Sequence, residues 1–127
     1  MSNKLYIVMN DVTRLEYDRN IRLPGHQREF LDKMDEDMAG GFELAGELVA
    51  SPNPIQRAQF VTMQLLMAMQ REDEGLIAAS CAYLANRYPE MTRVVATEQG
   101  EQISFNLLFN EEPLQNAVAV NFEPKLH

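Results

Sequence analysis

The sequence has few of the residues that most often carry catalysis or covalent cross-links. It contains no tryptophan, one cysteine and two histidines among 127 residues. The lone Cys81 cannot form an intramolecular disulfide, which favours a reducing compartment, so we expect the protein in the cytoplasm. A chain of this length can bury enough apolar surface to fold without a disulfide or a metal. We therefore expect a single domain over residues 1–127 that needs no cofactor.

Long apolar runs and basic patches are also absent. The apolar run at residues 5–9, LYIVM, is too short for a signal-peptide core or for a bilayer span, so we expect neither secretion nor membrane insertion. Nineteen acidic residues against eleven basic ones give a formal net charge of -8, which repels nucleic-acid phosphates and anionic lipids. The arginines between residues 14 and 28 are interleaved with acidic residues. No nucleic-acid partner is expected.

The histidines and the cysteine lie in poor positions for catalysis. His127 is the last residue, and His26 follows Pro24-Gly25, where capping or solvent exposure is common. Cys81 belongs to an apolar stripe, which predicts a buried and unreactive thiol. The glycines lack the spacing of a P-loop or of a dinucleotide-binding turn. These features favour a protein without enzymatic activity.

Alternating and β-branched segments predict a small antiparallel sheet. Leu5 to Met9 is typical of a strand that ends at the turn-forming Asn10-Asp11, and residues 13–23 resemble a second extended segment with a bend. Segments 92–98 and 102–109 predict a hairpin with one buried face. Residues 118–122 predict a further strand, and the tail from about 123 is expected to fray. The link FELAGELVASP is compatible with a small hairpin or with an irregular loop.

The first predicted helix, over 26–38, has an apolar side and an acidic side, and the Gly40-Gly41 pair ends it. Three carboxylates project together one turn after His26: Glu29, Asp32 and Glu36. Such a set can bind a divalent cation. However, Lys33 and Arg28 stand at i, i+4 spacing from Glu29 and Asp32, which favours a solvated, charge-paired surface.

The second and third helices complete the predicted fold. Asn53 as N-cap, Pro54 at the first position and Gln56 predict a helix over 53–70. Apolar residues at spacings of four, three and four predict a third helix over about 73–88, continuous with the second or antiparallel to it. Three alanines on this helix favour close approach of the second helix: Ala78, Ala82 and Ala85. The predicted class is α+β, with about three helices packed on one face of a small antiparallel sheet.

The second helix carries more apolar surface than one core face requires. One broad stripe predicts the core-facing side: Ile55, Ala58, Val61, Leu65, Leu66 and Met69. A second stripe lies near the opposite side, and a milder pair occurs on the third helix. The interface residues predicted from these positions are Phe60, Met63, Met67, Leu76 and Tyr83. Two stripes indicate either a helix enclosed on both sides or a helix that meets a partner chain.

Three functions remain open from the sequence. The preferred hypothesis is a non-enzymatic interaction or structural module that self-associates, as a homodimer, through helix 53–70. A small metal- or ligand-binding enzyme with an acidic site on helix 26–38 is the first alternative. An acidic regulator of a basic, nucleic-acid-handling protein is the second, motivated by the net charge alone.

Overall fold

The computed structural model describes residues 4–19, 25–44, 46–110, 112–113 and 118–121. The elements are β1 (Lys4–Met9), β2 (Val12–Asp18), α1 (Gly25–Ala39), β3 (Phe42–Leu44), β4 (Glu47–Val49), α2 (Pro54–Arg71), α3 (Glu74–Arg87), β5 (Met91–Gln99), β6 (Gln102–Phe109), β7 (Glu112–Pro113) and β8 (Val118–Asn121). The first part of the predicted extended segment 13–23 forms β2, whereas its part from residue 20 and the predicted fraying of the tail fall outside the described residues.

A six-stranded sheet forms one layer, in the order β2-β1-β5-β6-β7, with β8 also paired to β6. The sheet is mixed, because β1 and β5 run parallel, with Tyr6 beside Arg93, whereas the other pairings described in this sheet are antiparallel. A parallel pair needs a long crossover, and here the crossover includes all three helices. The α+β class is confirmed.

One face of the sheet supplies half of the hydrophobic core. Leu5 and Ile7 of β1 and Ile103, Phe105 and Leu107 of β6 are at most 1% exposed, and they alternate with half-buried or exposed neighbours. They join one cluster with buried side chains of the three helices. This alternation is the pattern of a sheet with one covered face. Within the described residues, no helix is long and apolar enough to cross a membrane.

Local signals set the start of α2. The side chain of Asn53 accepts a hydrogen bond from the backbone nitrogen of Gln56 at 2.8 Å, and the Gln56 side chain accepts one from the Asn53 nitrogen at 2.9 Å. This reciprocal pair is a capping box, with Pro54 at the first helical position. The predicted start is confirmed.

Helices α2 and α3 are separate. Glu72 ends α2 in the left-handed conformation (φ 58°), and Asp73 caps α3 by accepting a hydrogen bond from the Leu76 nitrogen at 3.2 Å. The two-residue connection turns the chain so that the helices pack side by side. Gly75 therefore lies inside the first turn of α3 and does not cause the break.

The link after α1 is a hairpin formed by β3 and β4. Gly41 has φ 96°, and a Cβ atom there would lie 2.7 Å from the carbonyl oxygen of Val49. Only glycine fits this close approach of the two strands. The alternative of a small hairpin is confirmed, and Gly41 both ends α1 and permits the hairpin.

The side chain of Arg19 joins three elements at the edge of the core. Its guanidinium donates hydrogen bonds to the carbonyl oxygens of Lys4, Ala85 and Tyr88 at 3.1–3.3 Å, and also to that of Met91. These carbonyls belong to the start of β1, the end of α3 and the start of β5. One planar, multiply donating cation thus fixes the parallel pair of strands against the last turn of a helix.

Candidate functional site

The buried side of α2 is complete without the second apolar stripe. Ala58, Val61, Leu65 and Leu66 are fully buried. Ile55, which was predicted on the same side, is 38% exposed because it lies in the first turn, at the edge of the core. We call the side formed by Phe60, Met63 and Met67 the α2 outer face; all three are half-buried.

The α2 outer face is only partly covered by the rest of the chain. The Phe60 ring stacks on Phe42 of β3, with ring centroids 4.2 Å apart and planes at 17°. Met63 packs against the edge of the core. Large apolar side chains that stay partly exposed on one side of a helix form a candidate protein-interaction surface.

The helix that carries this face lacks acidic residues in an otherwise acidic chain. Helix α2 contains no acidic residue over Pro54–Arg71, and its charged side chains are Arg57 and Arg71. Four glutamines provide much of its remaining polar surface: Gln56, Gln59, Gln64 and Gln70. A two-fold interface brings identical residues together, so carboxylates at its centre would repel one another. This helix avoids that repulsion.

The two remaining predicted interface residues, Leu76 and Tyr83, differ in their burial. Leu76, at the start of α3, is half-buried. Tyr83 is 1% exposed and lies in the core, so its ring is not available to another chain in this structure. Its hydroxyl donates a hydrogen bond to the Asp35 carboxylate of α1. Tyr83 therefore connects helices within the chain.

Asp35 is the centre of a polar cluster where the three helices meet. Its carboxylate accepts a hydrogen bond from Arg87 Nε at 2.9 Å and lies 3.6 Å from the Arg57 guanidinium. The Arg87 guanidinium also donates to Asp32 at 2.8 Å and stands 5.7 Å from the centre of the Tyr83 ring. We call these five residues the Asp35 cluster. Four of them, all but Asp32, line a cleft of about 390 Å³ with Pro52, Pro54 and Tyr88.

The chemistry of the Asp35 cluster favours a structural role. Burial, together with the hydrogen bond to Asp35, raises the pKa of Tyr83, so the phenol keeps its proton at neutral pH. Burial also raises the pKa of Tyr88, whose hydroxyl donates to the Pro54 carbonyl at 2.7 Å. The carboxylate of Asp35 is occupied by Tyr83 and two arginines. Neither tyrosine is poised as a base, and the cluster connects α1 to α2 and α3.

Two exposed carboxylates of α1 form ion pairs, with different partners from those predicted. Lys33 pairs with Asp37 at 3.3 Å in place of Glu29, and Asp32 pairs with Arg87 of α3 in place of Arg28. The pairing of Asp32 with Arg87 could not be predicted from helical spacing, because the two residues are 55 positions apart in the sequence. Among the described residues, no three His, Cys, Asp or Glu side chains lie close enough to hold a metal ion.

Cys81 is 4% exposed in the core, as its place in the apolar stripe predicted. Burial raises the pKa of its thiol to about 12. The reactive thiolate is therefore almost absent at neutral pH. The predicted burial of Cys81 is confirmed, and its lack of reactivity stays a prediction.

A groove between α1 and α3 was missed in the sequence. It measures about 380 Å³ and is lined by Gln27, Phe30, Leu31, Gly75, Ala78, Ala79 and Ala82. Phe30, on the apolar side of its helix, is 46% exposed at this groove. Ala78 and Ala82 were expected to admit α2, but they line this space beside α1. The helical wheel places residues on a side of one helix and does not reveal which neighbour meets that side.

Comparison of the chain with profiles of known protein families, with curated proteins and with solved structures gives no significant match.

Proposed function

We propose that this chain is a non-enzymatic protein-interaction module that forms a homodimer through the α2 outer face. The observation that carries the proposal is the partial exposure of Phe60, Met63 and Met67 on a helix whose opposite side already fills the core. Side chains of this size gain free energy when a partner removes them from water, at about 25 cal/mol per Å².

The charges of α2 permit a second copy of the chain as the partner. The whole chain carries -8, so two copies repel at long range, but α2 contributes no acidic residue to that repulsion. Glutamines beside the apolar stripe can hydrogen-bond to their counterparts across a two-fold axis. Two methionines add unbranched, flexible side chains that adapt to each other when identical surfaces meet.

The proposed place of action is the cytoplasm. Cys81 is a free cysteine with no second cysteine to pair with, and unpaired cysteines are typical of reducing compartments. A homodimer needs no other partner there, because the chain provides both surfaces.

Light scattering of the untagged protein over a wide concentration range tests the proposal. We expect the mass of a dimer at high concentration, and Met63→Glu should shift the protein toward the monomer while its circular dichroism stays unchanged. At a two-fold interface the new carboxylate at position 63 of one chain lies close to the same carboxylate of the other chain, so the two chains of the variant repel each other.

The matched control is Leu48→Glu. Leu48 is 80% exposed on the β3–β4 hairpin and receives the same new carboxylate outside the α2 outer face. The control should dimerise like the parent. Loss of the dimer in both variants would mean that general charge governs association, and a monomeric parent at all concentrations would refute the proposal. If Met63→Glu unfolds, Met67→Glu repeats the test at the neighbouring position.

A further inference from the structure

The groove between α1 and α3 is a second, independent surface. It shares no residue with the α2 outer face, and its lining is almost entirely apolar. On α3 the lining residues are small: Gly75, Ala78, Ala79 and Ala82. Their backbone is thereby open to close approach, while Phe30 of α1 forms an apolar wall that is 46% exposed. A helix fits such a site, because its apolar side chains can enter between two helices that present small residues.

The acidic residues at one end of the groove favour a basic partner. Glu72, Asp73 and Glu74 are exposed and directly precede Gly75, which lines the groove. Arg71 is their nearest basic neighbour in sequence, so this end stays net acidic. The chain as a whole adds an attractive field for cations. A second copy of this acidic chain is a poor occupant for the same reason.

From the apolar lining and the acidic end, we propose that the α1–α3 groove binds a basic amphipathic helix of a partner protein. The apolar side of that helix lies against Phe30, Leu31 and the small residues of α3. Its lysines or arginines, at the end near α3, pair with Glu72 and Glu74. Asp73 is partly occupied in capping α3, since its carboxylate accepts the Leu76 N–H.

Fluorescence anisotropy with a defined probe tests this proposal. The probe is a labelled synthetic helix of about 18 residues, with leucines at i, i+3, i+4 and i+7 and lysines elsewhere. A matched probe carries glutamates in place of the lysines. We expect saturable binding of the lysine probe that weakens with added salt, and at least about tenfold weaker binding of the glutamate probe.

Two arginine variants locate the binding site. Ala78→Arg fills the groove at an exposed alanine, and Ala39→Arg makes the same substitution at an exposed alanine at the other end of α1. Ala78→Arg should weaken binding of the lysine probe by about tenfold, and Ala39→Arg should leave binding within about twofold. Both changes keep a good helix former in place, so the fold is preserved.

A third variant tests the role of the charges. Glu72→Gln combined with Glu74→Gln should weaken binding of the lysine probe and reduce its salt dependence. Equal binding of both probes, no saturable binding, or equal effects of the two arginine variants would overturn the proposal. If Ala78→Arg instead abolishes self-association of the protein without any probe, the occupant is a second copy, and the proposal is equally overturned.

Discussion

Removal of the Asp35 carboxylate should destabilise the protein far more than removal of its neighbour Asp32. Asp35→Ala deletes the acceptor of a hydrogen bond from Tyr83, whose ring is 1% exposed, and the partner of Arg87 Nε at 2.9 Å. Asp32→Ala deletes one contact, to Arg87 at 2.8 Å, from a side chain that is 76% exposed. The two variants therefore make the same chemical change in different surroundings.

The magnitudes follow from burial. A buried hydroxyl that loses a charged acceptor costs about 2 kcal/mol, because water replaces the acceptor incompletely. The ion pair with Arg87 is partly solvated, with both side chains about one third exposed, and adds up to about 1 kcal/mol. At 3.6 Å the Arg57 contact adds little. Asp35→Ala should thus lower the free energy of unfolding by about 3 kcal/mol, and Asp32→Ala by at most about 0.5 kcal/mol.

Urea denaturation at one fixed protein concentration measures both variants. With a slope of about 1.5 kcal/mol per molar urea, the midpoint should fall by about 2 M for Asp35→Ala and by at most about 0.3 M for Asp32→Ala. A double-mutant cycle with Tyr83→Phe isolates the hydroxyl-to-carboxylate bond, and a coupling free energy of at least about 1 kcal/mol is expected. Equal midpoints for the two aspartate variants would refute the structural role of the cluster.

Three further predictions concern the buried polar groups. The pKa of Tyr83 is raised above its ordinary 10.0, so the folded state holds that proton more tightly than the unfolded state. The contribution of this proton to the free energy of unfolding should be fully present below about pH 10 and should be lost as the pH rises further. Urea unfolding at several pH values should show a smaller loss in Tyr83→Phe. Cys81 should react with iodoacetamide at neutral pH only after unfolding, and rapid alkylation of the native protein would contradict its burial. Ser80 is fully buried, and its hydroxyl has no hydrogen-bond partner among the described residues. Ser80→Ala should therefore raise the free energy of unfolding by about 1 kcal/mol. A decrease of similar size would reveal a hydrogen bond that this structure does not contain.

The elements that could be predicted from the sequence are those with local signals. Asn53, Pro54 and Gln56 determine the start of α2 within four residues, and the Asn10-Asp11 turn forms the β1–β2 hairpin with positive φ at both residues. The parallel pairing of β1 with β5 could not be predicted, because it joins residues more than eighty positions apart. Strand pairing at that distance depends on how the three helices pack.

The candidate sites show the same division. The α2 outer face could be found from helical spacing alone, because both stripes lie on one helix. The Asp35 cluster could not be found in this way, because Asp35, Arg57, Tyr83 and Arg87 come from three helices. Each of these residues also fits an ordinary exposed or apolar position on its own helix. Tyr83 shows the difficulty: its spacing from Leu76 indicates a shared side of α3, but that side meets α1.

Cross-linking between chains tests self-association through the α2 outer face most directly. Met67→Cys places an accessible thiol on that face, while Cys81 stays buried and unreactive; Thr97→Cys places the same thiol on exposed β5. With a short bis-maleimide, Met67→Cys should yield a covalent dimer at concentrations where Thr97→Cys yields only chains that are not cross-linked, although Thr97→Cys leaves the α2 outer face intact. Equal cross-linking of the two variants, or none in either, would contradict a homodimer formed through this face.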